Sequence, residues 1–74
     1  MNFYKVSFVR KDLAHRGQTG TVYCYNQYLA SREWIQKMVE TSIGLSNYFF
    51  SVTDVQFTDR ETYIKEVGPL PANL

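Results

Sequence analysis

The stretch SREWIQKMVETSI, Ser31 to Ile43, decides how the rest of this 74-residue chain is read. Together with Ala30, the residues Trp34, Ile35, Met38, Val39, Ser42 and Ile43 recur at the three-and-four spacing that lines one face of an α-helix. Arg32, Glu33, Gln36, Lys37 and Glu40 occupy the opposite face, with Glu33 and Lys37 forming a favourable i,i+4 pair. Ser31 can cap the first turn, Glu33 lies near the positive end of the helix dipole, and Gly44 suits the left-handed residue that stops a helix.

Working outward, the flanking segments alternate with period two. Asn2 to Arg10 (NFYKVSFVR) sets Tyr4, Val6 and Phe8 against Lys5 and Ser7, as a half-buried strand requires, although Phe3 and Val9 blur the polar side. Thr21 to Tyr28 (TVYCYNQY) is rich in β-formers and reads as a second strand. Between them, Lys11 to Gly20 (KDLAHRGQTG) has charges, two glycines and no periodicity, which predicts a long, mobile hairpin connection. After Gly44, Tyr48 to Thr58 (YFFSVTDVQFT) reads as a strand whose apolar phase slips between Val52 and Val55. A β-bulge near Thr53–Asp54 would restore Phe50, Val52, Val55 and Phe57 to one face. Asp59 and Arg60 suggest a turn into Glu61 to Val67 (ETYIKEV), a short edge strand, and Gly68 to Leu74 (GPLPANL) an extended or frayed tail.

The expected fold class is therefore α+β: a small antiparallel sheet of three to four strands with one amphipathic helix packed on one face, in ββαββ order. Residues 1–67 form a single domain and 68–74 the tail. A chain this short holds one core with a thin stability margin, so a partner or a second copy of the chain is a natural source of further stability. Cys24 is the sole cysteine and has nothing to bridge, which points to a reducing, cytoplasmic setting. No apolar run approaches the roughly 20 residues of a membrane span, so a soluble protein with no membrane partner is expected.

Charge is distributed unevenly. Residues 1–37 carry six Lys/Arg against Asp12 and Glu33, giving +4, whereas residues 38–74 carry two against five acids, giving −3. Such polarity can steer a partner or be neutralised as the two halves fold together.

Candidate chemistry is sparse. His15 is flanked by Arg16 and close to Arg10 and Lys11, which repel a cation, and Asp12 alone is too little to complete a metal site. An ordinary loop histidine is the plainer reading. Cys24 shares its strand with Val22 and reads as a buried small hydrophobe rather than a nucleophile. Arg16 to Gly20 (RGQTG) lacks the Gly-Lys-Ser/Thr ending of a P-loop and precedes a strand instead of a helix. Asp59 and Glu61 flank a turn and do not oppose one another as an acid–base pair would. No enzyme activity, cofactor or metal is expected.

The outer sheet face is the more informative constellation. If Val22 and Cys24 face the helix, Tyr23 and Tyr25 face away, beside Lys5 and below the loop that carries Arg10, Lys11, His15 and Arg16. These seven residues are the expected partner-binding set. Tyrosine and arginine are the residues enriched at protein interface hot spots, which points to a protein partner. Aromatics beside a basic loop also suit single-stranded nucleic acid, but the sequence pI of about 7.9 is low for a polyanion binder. Paired tyrosines that only stabilise the sheet account for the same pattern without any partner.

In plan, a small tyrosine-rich ββαβ-type domain without catalytic residues resembles the phage-encoded proteins that inhibit host enzymes or defence complexes by occlusion. The likeness is one of size and layout, not of a shared motif. It implies a small regulator or inhibitor that binds its target stoichiometrically.

Overall fold

A computed structural model of the chain describes residues 1–72; the last two residues of the expected tail, Asn73 and Leu74, lie outside the described residues. The fold is α+β, with a three-stranded antiparallel sheet and two helices. Strand β1 (Asn2–Arg10) is central, with β2 (Thr19–Asn26) on one side and β3 (Phe50–Thr58) on the other. Helix α1 (Arg32–Ile43) joins β2 to β3, and a second helix, α2 (Arg60–Glu66), follows β3. The element order is thus ββαβα rather than ββαββ.

The alternation in β1 does what period two demands. Tyr4, Val6 and Phe8 are buried on one face, opposite Cys24, Val22 and Gly20 of β2. Gly20 leaves room for the Phe8 ring, because a Cβ there would lie 2.8 Å from Phe8 Cε1. On the β3 side the expected bulge is present. Ser7 pairs with Asp54 and Phe8 with Val52, so Thr53 is the extra residue that brings Phe50 and Val52 into phase with Val55 and Phe57.

Ile35 and Val39 of α1 complete the core with Tyr4, Val6, Phe8, Val22, Cys24 and Phe50. Trp34 and Met38, which the sequence reading expects to lead the apolar side of the helix, are only half-buried and pack at its margin. Fully burying a side chain such as Val6 or Val39 contributes about 1.5–3 kcal/mol. Both ends of α1 close as the sequence predicts. Ser31 Oγ accepts the Trp34 N–H at 3.1 Å, and Gly44, at φ 70°, donates its N–H to the Glu40 carbonyl at 2.8 Å.

Three expectations need correction. Glu61 to Val67 is not a fourth strand, because Asp59 caps a helix there: its carboxylate accepts the Thr62 N–H at 2.7 Å, Glu61 sits in the first turn and Lys65 in the last. Strand β2 ends at Asn26 and not at Tyr28, since Asn26 Oδ1 accepts the Tyr28 N–H at 3.2 Å and folds the chain into a turn. The Lys11–Gly20 connection is also not a loose loop. Arg10 N–H donates to the Gln18 carbonyl at 2.7 Å and Gly17 N–H to the Arg10 carbonyl at 3.0 Å, around a short 3₁₀ turn at Leu13–His15. Gly17 closes that turn at φ 87°, where a side chain would be strained.

Candidate functional site

Helix α2 alters the outer sheet face first. Tyr63 is its one buried residue and packs on the face opposite the main core, with ring centroids 5.4 Å from Phe3 and 5.4 Å from Tyr25. Phe3 and Tyr25 are themselves 6.2 Å apart, so the three rings form a small second core. Burial, reinforced by Tyr25 beside it, raises the Tyr63 hydroxyl above its usual range. Tyr25 is thus half-buried beneath a helix and does not face open solvent as expected. What remains of the aromatic face is Tyr23, half-buried, directly opposite exposed Lys5. That pair borders a cleft with Thr21 of β2, Ser42 and Ile43 of α1, and Glu66 and Val67 beyond the sheet.

The basic turn is organised around Asp12. Arg10 grips its carboxylate with two hydrogen bonds, Nε to Oδ1 at 2.8 Å and Nη2 to Oδ2 at 3.0 Å. His15 Nδ1 lies 2.7 Å from Asp12 Oδ2 and 3.2 Å from Arg10 Nη2. A guanidinium only donates and a carboxylate only accepts, so the shorter contact assigns the Nδ1 proton to the bond with Asp12. The Arg10 hydrogen bonds, followed by that from His15, hold the Asp12 carboxyl down at about 2. Arg10 and His15 are therefore engaged within the turn. Lys11 and Arg16 are exposed and form no ion pair among the described residues.

These two parts of the expected site are well separated. Six residues of extended chain, about 20 Å at 3.3 Å per residue, run from Lys5 to Lys11. In place of Tyr23 and Tyr25, the turn finds other aromatic neighbours. The Lys11 N–H donates to the Phe49 carbonyl at 2.8 Å, which ties the turn to a 3₁₀ segment at Asn47–Phe49. Leu13 is 91% exposed, Tyr48 83% and Phe49 45%. This end of the molecule therefore combines two unpaired cations with three large exposed apolar side chains.

Sequence reasoning passes over Leu13, Tyr48 and Phe49. The run Tyr48-Phe49-Phe50 reads as the start of a strand, yet Ser46 Oγ accepts the Tyr48 N–H at 3.4 Å, and the strand begins only at Phe50. The serine two residues ahead was the available signal for a turn. Val55 and Phe57 are also more exposed than their phase suggests, at 40% and 70%, because they lie on the outer strand β3 beyond the reach of α1.

Elsewhere the chemistry is quiet. Burial pushes the Cys24 thiol up to about 11, which keeps it protonated and a poor nucleophile. Among the described residues no three His, Cys, Asp or Glu side chains gather as a metal site would require. No helix among them is long and apolar enough to cross a membrane. Comparison with protein-family models, curated proteins and solved structures finds no match for this chain.

Proposed function

We propose that this protein is a non-enzymatic protein-binding module, a small regulator or inhibitor that acts by stoichiometric binding, with its contact at the Lys11–Phe49 end. The observation that carries the reading is the Lys11 to Phe49 backbone hydrogen bond. It ties the turn that carries Lys11, Leu13 and Arg16, already stiffened by the Arg10–Asp12–His15 cluster, to the segment that carries exposed Tyr48 and Phe49. Exposed tyrosine and phenylalanine provide area that costs little side-chain entropy to bury, and rigid presentation lowers the ordering cost of association. Unpaired cations at the rim favour a partner with an acidic surface and speed its capture.

A quantitative pull-down tests this with three proteins: the wild type, a Lys11→Glu/Arg16→Glu/Tyr48→Ala variant, and a Tyr23→Ala control. The expected result is one partner held at 1:1 by the wild type and the control and lost by the triple variant. Equal recovery by all three would remove the tip as the binding surface.

The second reading is a single-stranded nucleic-acid contact, favoured by the exposed Tyr48 ring beside free cations. With Tyr25 beneath α2, it has the exposed rings of Tyr48 and Phe49 and the two unpaired cations of the turn to work with. Fluorescence anisotropy with short single strands separates the two readings. A nucleic-acid binder would lose affinity steeply as salt rises, whereas a protein-binding tip gives no binding at low salt.

A further inference from the structure

We propose that two copies of this chain associate through the outer edge of β3, continuing the sheet into six antiparallel strands with β3 against β3 at the centre. The inference concerns a surface distinct from the Lys11–Phe49 end and stands independently of it. Strand β3 is at the sheet edge, so its outer backbone groups have no neighbouring strand among the described residues. Natural sheets guard such an edge with lysine, proline or an inward charge. Phe50–Thr58 has neither lysine nor proline and a single charge, Asp54. Its one protective device is the bulge at Thr53, which leaves the five residues from Asp54 to Thr58 as regular strand.

The side chains on that segment are those a second sheet would cover. Val55 and Phe57 pair with Val6 and Tyr4 and so lie on the α1 side of the sheet, yet they remain exposed. Helix α1 leans toward β2 and leaves a groove against β3 bordered by Ile35, Gln36 and Val52–Val55. The apolar surface extends past Phe57, whose ring is 5.3 Å from that of Tyr4. The Tyr4 hydroxyl accepts the Ala30 N–H at 2.9 Å, which brings the exposed Tyr28–Leu29 pair to the same end.

Complementarity selects a second copy as the occupant. Antiparallel pairing about a two-fold axis normal to the sheet keeps α1 on the same face in both copies and sets like-facing residues opposite each other. Centred on Val55, it opposes Val55 to Val55 of the second copy and Asp54 to Gln56 of the second copy, an amide that can donate to the carboxylate. Centred on Gln56, it opposes Val55 to Phe57 of the second copy and Asp54 to Thr58 of the second copy, again with a donor. Both registers join apolar to apolar and satisfy the only charge on the strand. The Asp54-centred register alone is penalised, since it places two carboxylates face to face.

Sedimentation of the full chain at roughly 10 and 100 μM brackets the micromolar dissociation constants typical of small interfaces. The wild type should sediment as a dimer at the higher concentration. Val55→Lys and Val55→Glu should each sediment as monomers with unchanged circular dichroism. Val55→Lys should recover the dimer when mixed with Val55→Glu if the pairing is centred on Val55, and when mixed with Phe57→Glu if it is centred on Gln56. Phe57→Lys, at a still more exposed position, should also be monomeric, and Thr21→Lys on β2 should remain dimeric. A monomeric wild type, a dimer that persists in the Val55 variants, or failure of both mixtures to pair would each overturn the proposal.

Discussion

Asp12 is the residue with the clearest electrical consequence. In the folded chain its carboxyl is held at about 2, against an ordinary 3.8, by the Arg10 and His15 hydrogen bonds. Its folded value is the lower one, so the unfolded chain binds more protons in that interval and stability rises with pH there. The contribution is whole above 3.8 and is lost as pH falls to about 2. Asp12→Asn should therefore flatten the dependence of the denaturation midpoint on pH in that window and lower the midpoint near neutrality. A curve parallel to that of the wild type would contradict the assigned role. Asp59, lowered by the Thr62 N–H it accepts, titrates in the same direction and accounts for part of the remaining slope. None of this was legible in the sequence. Asp12, Arg10 and His15 could be counted as charges, but which of them pair depends on how the chain turns back at Gly17.

At the scale of elements, α1 was legible because cap, stripe and stop agreed over a dozen residues. The bulge was legible too, since only an extra residue reconciles Val52 with Val55. Helix α2 was not. Seven residues with one buried side chain, Tyr63, present no face to recognise, and charges that suit an exposed strand suit an exposed helix equally well. The decisive feature was local: Asp59 stands three residues before Thr62, in N-cap position. Tyr63 then explains why Phe3 is buried on what reads as the polar side of β1. Tyr63→Ala should cost about 3 kcal/mol in urea unfolding, as large-to-small changes at buried aromatic positions do. It should also expose Tyr25 and Phe3. Asp59→Ala should loosen the same helix without emptying the aromatic cluster, and so increase amide exchange in residues 60–67 while leaving that of β1 in place. Exchange in residues 60–67 of Asp59→Ala that matches the wild type would mean that α2 does not depend on its cap.

The whole molecule is elongated, with extents of 40 × 23 × 19 Å, and its two candidate surfaces carry different chemistry. The Lys11–Phe49 end is basic and aromatic, whereas the β3 edge is apolar and nearly uncharged. Four of the seven expected site residues, Arg10, Lys11, His15 and Arg16, fall at the former, and Tyr25 belongs to the packing of α2. A dimer through β3 would present two identical basic ends, and binding to a densely immobilised partner would gain from avidity. Val55→Lys should therefore dissociate faster than the wild type from a dense surface and at the same rate from a sparse one. A rate independent of density for both would separate the two surfaces functionally.

The cleft at β2 bears on how far such an assembly can grow. Thr21–Tyr23, on the strand at the opposite edge of the sheet, share that cleft with Ser42 and Ile43 on one side and Glu66 and Val67 on the other. An incoming strand at β2 would lie between these two helix ends. In the proposed pair, two copies joined through β3 would turn these flanked β2 edges outward. Such a pairing would use up the β3 edge of both copies at once, so growth into a fibre would have to begin at β2, between the helix ends.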